Sequence, residues 1–192
     1  HSGVFEYDPF GQLVKTTDAL SDITTLTYDA AGNNTSMTDP KGALTAFVYD
    51  ALNRLTQINF ADGTNVSYIY DAFGNRLSIT DQKSNTTVNA YDAYERLSRT
   101  TDALGGVTQY TYDKIGNTTA LTDANGHTTA YTYDANGRLL NEMTPLGHTT
   151  SYSYDEVGNL LSKTDANSHT ITYAYDALNR LTRTQYPAGT SV

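Results

Sequence analysis

The sequence has 192 residues, 38% of them hydrophobic, with 16 Tyr, no Trp, no Cys and a formal net charge of −9. The lack of Cys excludes disulfides and Cys-ligated metal sites. The acidic balance disfavours nucleic acid and anionic membrane surfaces, and no apolar run approaches the roughly 18 residues that span a bilayer. Val, Ile, Leu and Phe are too sparse for a thick core, so Tyr and Thr, which suit half-buried pleated surfaces, must carry much of the packing.

One dipeptide punctuates the chain, at Tyr7-Asp8, Tyr28-Asp29, Tyr49-Asp50, Tyr70-Asp71, Tyr91-Asp92, Tyr112-Asp113, Tyr133-Asp134, Tyr154-Asp155 and Tyr175-Asp176, always 21 residues apart. A fixed period marks a repeat architecture. After a six-residue lead-in come eight full units and a truncated ninth, read as a single array over residues 1–192. Since the sequence starts at His1 without Met and shows no signal peptide, it is expected to be a fragment of a longer protein.

Each unit begins with an alternating strand such as Thr129-Ala-Tyr131-Thr-Tyr133. Thr and both Tyr share one face, and small residues occupy the other. The penultimate aromatic is Phe5, Phe47, Tyr68, Tyr110, Tyr131, Tyr152 or Tyr173, and gives way to Leu26 and Asn89 in two copies. After Tyr-Asp comes a segment like Ala72-Phe-Gly74-Asn75, whose Gly and Asn tolerate positive φ and whose Asp can bond its own backbone. This predicts a hairpin turn. A second strand follows, such as Thr118-Thr-Ala-Leu-Thr122, and then a second turn, such as Asp123-Ala-Asn-Gly126. Pro9, Pro40, Pro145 and Pro187 all fall in turns, where a missing N–H breaks no ladder. No stretch shows helical spacing with caps.

A second rhythm runs at 42 residues. Leu stands six residues after the Tyr in the odd units (Leu13, Leu55, Leu97, Leu139, Leu181), whereas in the even units that place holds Asn34, Arg76, Thr118 and Leu160, and their apolar residues tend to fall seven and nine after the Tyr, as in Leu77 and Ile79. An offset of one residue reverses the face of a strand. Odd units are therefore expected to have a shorter turn or a compensating bulge, making the structural repeat a pair of unlike hairpins.

Candidate sites each have a plainer reading. His127, His148 and His169 recur at one offset, but equivalent positions in successive hairpins lie about 10 Å apart, too far for two imidazoles to share an ion. They are expected at exposed turn edges. Asp123-Ala-Asn-Gly126 and Asp134-Ala-Asn-Gly137 resemble the start of a calcium loop yet lack its further acidic ligands, so Asx turns explain them with less. Arg54, Arg96, Arg138 and Arg180 follow Asp50, Asp92, Asp134 and Asp176 by four residues, a spacing that suits an ion pair across the turn. The Tyr rows could bind glycans, but mutual packing is the favoured reading. Sequons at Asn33, Asn65, Asn85 and Asn117 matter only in a glycosylating host. Ser, His and Asp are present without a triad-building departure from the repeat. No catalytic, cofactor-binding or metal residue is assigned, and no cofactor is expected. The nine Tyr-Asp pairs are read as a structural motif.

The Tyr70–Leu77 segment and the Thr122–Thr128 segment resemble the consensus of the RHS/YD-repeat family, and the resemblance covers essentially the whole chain. Members include bacterial polymorphic toxins, the C components of Tc toxins, wall-associated proteins and teneurins. The resemblance implies an all-β array of hairpins in a continuous antiparallel sheet that coils into a spiral shell, tube or solenoid. It implies a bacterial-looking, secreted or cell-surface scaffold, whose wall encloses a toxin domain or forms a stalk. The family's self-cleaving terminal segment has no counterpart up to Val192, so encapsulation and autoproteolysis do not transfer to this stretch. The expected role is non-enzymatic. The expected partners are other repeats of the parent chain or identical subunits at open edges, with an encapsulated toxin domain or glycans as further candidates. Two alternatives remain open: a self-assembling fibre built by end-to-end strand addition, and an adhesion module using the Tyr columns.

Overall fold

The computed structural model describes residues 3–187. Two units are resolved, His1–Glu95 and Arg96–Val192. The first contains β1 (Val4–Tyr7), β2 (Leu13–Thr17), β3 (Ile23–Tyr28), β4 (Asn34–Thr38), β5 (Leu44–Tyr49), β6 (Leu55–Asn59), β7 (Asn65–Tyr70), β8 (Arg76–Thr80) and β9 (Thr86–Tyr91). The second contains β10 (Leu97–Thr101), β11 (Val107–Tyr112), β12 (Thr118–Thr122), β13 (Thr128–Tyr133), β14 (Leu139–Met143), β15 (Thr149–Tyr154), β16 (Leu160–Thr164), β17 (Thr170–Tyr175) and β18 (Leu181–Gln185). Within each unit every strand pairs antiparallel with its sequence neighbour, as β5 does with β6 and β13 with β14. The chain is all-β, an array of successive hairpins, and the described residues contain no helix.

The expected difference between odd and even hairpins, a shorter turn or a compensating bulge in the odd units, is corrected, because turn length and bulge are the same in both. Every second strand begins six residues after its Tyr in odd and even units alike: Leu55 after Tyr49, Arg76 after Tyr70, Leu139 after Tyr133 and Leu160 after Tyr154. Every one of these pairings also carries a bulge at the same place. Tyr133 faces Leu139 while Thr132 faces Asn141, and Tyr70 faces Arg76 while Ile69 faces Ser78. A bulge sets two residues against one on the partner strand. The residues six and seven after the Tyr therefore share a position in the ladder, and an apolar side chain at either meets the Tyr end of the hairpin. Leu139 and Leu77 are two solutions to one geometry, and the backbone period is 21 residues.

The sheet has one half-covered face. Thr129, Tyr131 and Tyr133 are partly buried, and Thr132 between them is exposed. Cross-strand pairs such as Tyr68 with Ile79 and Tyr110 with Leu121 line this face, and such aromatic–aliphatic pairs are the stabilising unit of a sheet. No hydrophobic side chain among the described residues is fully buried. Among the described residues only Ser78 is buried, at 9% exposure, lying opposite Ile69 on one side and Val88 on the other. The Tyr rows thus pack on one another without a second layer over them. Stability must then come from ladders and from contacts between neighbouring repeats, as in other repeat arrays.

Candidate functional site

The turns hold most of the chemistry. An Asp opens each described turn except two, where Phe60 and Thr144 stand. At Asp123 the backbone N–H donates to the His127 carbonyl at 2.9 Å, and the Gly126 N–H donates back to the Asp123 carbonyl at 3.0 Å. The Asp123 Oδ1 then accepts the N–H groups of Asn125 and His127, both at 2.9 Å. The same Asx pattern recurs at Asp8, Asp29, Asp39, Asp50 and onward. In the Phe60 turn Asp62 substitutes, accepting from both the backbone and the hydroxyl of Thr64. In the other, the buried Thr144 Oγ1 has no partner within the protein.

The fourth residue of each turn has positive φ, and here the units do alternate. In the even units it is Gly at the widest angles, Gly32 at 88°, Gly74 at 97°, Gly116 at 100° and Gly158 at 103°. In odd units the angle falls to 59° at Asn53, 62° at Glu95 and 60° at Asn179. Side chains tolerate the left-handed helical well near 57° far better than φ near 100°. We therefore expect Gly116→Asn to cost about 1–2 kcal/mol. Gly137→Asn, at 76°, should cost less than Gly116→Asn. A Cβ at Gly137 would lie 3.3 Å from the Asn117 Oδ1, and at the equivalent place Asn53 accepts the side-chain amide of Asn33 at 2.8 Å. Urea denaturation of the two variants measures the difference.

The expected Arg–Asp pairs are present and reach further than their spacing suggests. Arg54 Nε donates to Asp50 Oδ2 at 2.7 Å, Arg138 Nε to Asp134 Oδ2 at 2.6 Å and Arg180 Nε to Asp176 Oδ2 at 2.7 Å. Arg54 also donates from Nη1 to the Asp71 carbonyl at 2.7 Å, and Arg138 likewise to the Asp155 carbonyl at 2.6 Å. Arg96 donates to the Asp113 carbonyl at 2.9 Å. Each guanidinium lies over the Tyr of that same next repeat, 4.9 Å above Tyr70 for Arg54, 4.5 Å above Tyr112 for Arg96 and 5.0 Å above Tyr154 for Arg138. One side chain thus clasps its own turn and the following hairpin, using charge, a planar fork of donors and a stacking face that Lys lacks.

The Tyr hydroxyls tie neighbours in the other direction. Tyr28 donates to the Leu13 carbonyl at 2.9 Å, Tyr70 to Leu55 at 3.0 Å, Tyr112 to Leu97 at 2.7 Å and Tyr133 to Thr118 at 2.9 Å. Each acceptor is 15 residues back, at the bulge of the preceding hairpin. Burial raises the Tyr133 and Tyr154 hydroxyls above the ordinary phenol value, aided by charge repulsion from the neighbouring phenol groups of Tyr131 and Tyr152. Thr pairs such as Thr122 with Thr128, 2.8 Å apart, join the strands beside the second turn.

The His residues lie where the turn-edge reading puts them. Nδ1 of His127 is 3.3 Å from Asp123 Oδ2, and Nδ1 of His169 is 3.2 Å from Asp165 Oδ2. His127 and His148 line one open recess with Pro145 and Leu146. Both Asp-Ala-Asn-Gly segments are Asx turns whose carboxylates already accept backbone amides.

Several of the turn carboxylates are held below their ordinary range. Asn33, through its side-chain amide and then its backbone N–H, lowers Asp29. The Arg138 backbone N–H and then its guanidinium lower Asp134, and the Arg180 side chain lowers Asp176. A carboxyl depressed in the folded chain contributes stability that is complete above its unfolded value of about 3.9 and is lost as pH falls through the lower folded value. The thermal midpoint should therefore stay level with respect to these groups above about pH 5 and fall below about pH 4. A scan at fixed ionic strength checks this, and Asp134→Asn, which keeps an acceptor without the charge, should shallow the fall.

The comparisons with known proteins agree with this geometry. The family model described as teneurin YD-shell matches residues 44–192, and that described as RHS repeat matches residues 7–46. No curated protein matches the chain. Among solved structures, a Photorhabdus luminescens Tc holotoxin pore aligns at TM-score 0.68 and 19% identity, over 96% of this chain and 12% of that one. A TcdB2–TccC3 crystal structure aligns at TM-score 0.54 and 18% identity, over 98% of this chain and 13% of the other. The same pair without its hypervariable C-terminal region gives TM-score 0.55 at 18% identity, over 98% and 12%. These likenesses are of fold, and this chain spans only about an eighth of those proteins. With its family model covering residues 44–192 and its hairpins clasped in one register, the chain belongs to the teneurin YD-shell family.

Proposed function

We propose that this chain is a non-enzymatic scaffold, a stretch of shell wall or stalk in a longer secreted or cell-surface protein, with residues 1–192 forming one repeat array. The carrying observation is where the reactive groups spend their bonding capacity. Asp carboxylates accept turn amides, Tyr hydroxyls donate to carbonyls of the preceding repeat, and Arg guanidiniums join the following one. The Tyr-Asp pairs, from Tyr7-Asp8 to Tyr175-Asp176, are on this reading connectors between repeats rather than a ligand site. Glycan binding is the weaker reading for the Tyr of the Tyr-Asp pairs, because hydroxyls such as those of Tyr28, Tyr70 and Tyr112 are committed to backbone acceptors.

The half-covered aromatic face points to what a wall would enclose. A photo-crosslinking residue at Tyr131, on that face, is compared with one at Thr132, on the other, within the full parent protein. Cross-links from position 131 to a segment outside the repeats, and none from 132, are expected. Equal labelling from both faces would overturn the enclosing-wall reading.

A further inference from the structure

Features shared by every repeat serve the array, so a singular role is sought where one repeat departs from the rest. The fifth Tyr-Asp unit departs at two positions. Asn89 stands in a column that otherwise holds aromatic residues and Leu26. Glu95 is the fourth residue of its turn, where the other odd units have Gly11, Asn53, Gly137 and Asn179. Two of those residues close the gap to the preceding turn: Asn53 accepts the side-chain amide of Asn33 at 2.8 Å, and Asn179 accepts that of Asn159 at 3.0 Å. At the fifth unit the equivalent amide, of Asn75, bonds within its own turn, to Asp71 Oδ2 at 2.9 Å.

An open recess of about 370 Å³ lies there, between the fourth and fifth Tyr-Asp turns and wholly within the first unit. Its walls include Leu77, Asn89, Tyr91 and Glu95. The Asn89 amide and the Tyr91 hydroxyl both donate to the Arg76 carbonyl, at 3.0 Å and 3.1 Å. The short amide is thus drawn to the bulge of the preceding hairpin, and no ring stands two residues before Tyr91. The carboxylates of Asp71 and Asp92 also border the recess. Their Oδ1 atoms accept turn amides, so they contribute charge, while Glu95 extends from an exposed position as an acceptor.

The chain itself shows which group suits a Tyr ring beside a carboxylate. Arg54 lies 4.9 Å over the Tyr70 ring and holds Asp50 at 2.7 Å. Asn75 stands at the place of Arg54, five residues after the Tyr, and its short side chain is held back on Asp71. The neighbouring guanidiniums lie elsewhere, Arg76 at 5.9 Å over Tyr68 and Arg96 at 4.5 Å over Tyr112. We propose that the recess binds the guanidinium of an arginine carried by a partner polypeptide, its plane over Tyr91 and its donors on the Glu95 carboxylate. A planar cation that stacks and forks onto a carboxylate fits this pair of groups better than an ammonium does. The volume sits near the lower limit of small-ligand pockets, about 300–1,000 Å³, which suits one side chain. The proposal goes beyond the scaffold reading and does not depend on it.

The probe is Nα-acetyl-arginine amide, titrated into the full chain at constant ionic strength and followed by NMR. Saturable shifts confined to residues 71–77 and 89–95 are expected. The citrulline analogue, similar in shape but uncharged, should bind about tenfold more weakly. Glu95→Asn installs the residue that closes the third unit at Asn53, and should weaken arginine binding about tenfold. Asn89→Tyr restores the aromatic column and should weaken it as well, by filling the recess. Both variants carry residues that other repeats already accommodate at these positions. Glu156→Gln, which removes one carboxylate from a different turn, should leave binding unchanged. No saturable shift in the folded wild type, equal binding of citrulline and arginine, or a Glu95→Asn effect no larger than that of Glu156→Gln would each overturn the guanidinium site and leave the scaffold reading as it stands.

Discussion

Arg138→Ala is expected to destabilise the chain by about 1–3 kcal/mol, an unusually large effect for a side chain on a sheet edge. Three interactions are lost at once. The charged hydrogen bond to the Asp155 carbonyl is the largest, at about 1.5–3 kcal/mol before solvent competition. Stacking over Tyr154 adds about 0.5–1 kcal/mol, and the half-buried pair with Asp134 adds a further contribution. Partial solvation and shared geometry keep the total below the sum. Arg138→Lys should recover less than half of the loss, because an ammonium cannot hold the carboxylate, the carbonyl and the ring in one plane. Urea denaturation measures the loss. The transition should also broaden, since cooperativity in a repeat array resides in contacts between neighbours.

The second large effect is expected at Tyr133, where ring and hydroxyl can be separated. Tyr133→Phe removes the bond to the Thr118 carbonyl and should cost about 1 kcal/mol. Tyr133→Ala also removes the ring from the half-covered face and should cost about 2–3 kcal/mol, below the range for a fully buried aromatic because the face stays partly solvated. Val157→Ala, at a turn tip where Val157 is 71% exposed, should change stability by less than about 0.5 kcal/mol. If Tyr133→Phe and Tyr133→Ala cost the same in thermal or urea unfolding, the ring contributes nothing and the packing account fails.

Local chemistry was readable from the residues alone. The Asp-opened turn involves contacts four residues apart or less, so Asp123 with Asn125 and His127 follows from sequence. The Arg138–Asp134 pair, also four residues apart, was equally legible. The other half of the clasp was not, because the Asp155 carbonyl reaches Arg138 only through the register of the next hairpin. A signal for it existed: Arg stands five residues after the Tyr in alternate units, with a Tyr-Asp always following at 16 and 17 residues in units three, five and seven. The 42-residue rhythm of apolar residues does not signal a shorter turn or a bulge peculiar to odd units, for a related reason. A bulge gives two consecutive residues one place in the ladder, so Leu139 and Leu77 meet the same surface without any change of loop. What alternates is φ at the fourth turn residue and the Arg or Asn beside it. The aromatic face was legible as a face, but its single-layer, half-open state depends on what stands opposite it, which no residue of a strand encodes.

The central claim is that Tyr-Asp repeats are held by bonds to their neighbours, with the Arg clasp as the specific tie. Native-state hydrogen exchange on the wild type and Arg138→Ala tests it most directly. The account predicts that amides of β14, β15 and β16 lose protection in the variant while those of β3 to β8 keep theirs. Protection unchanged in β14–β16, or lowered equally throughout the chain, would contradict it.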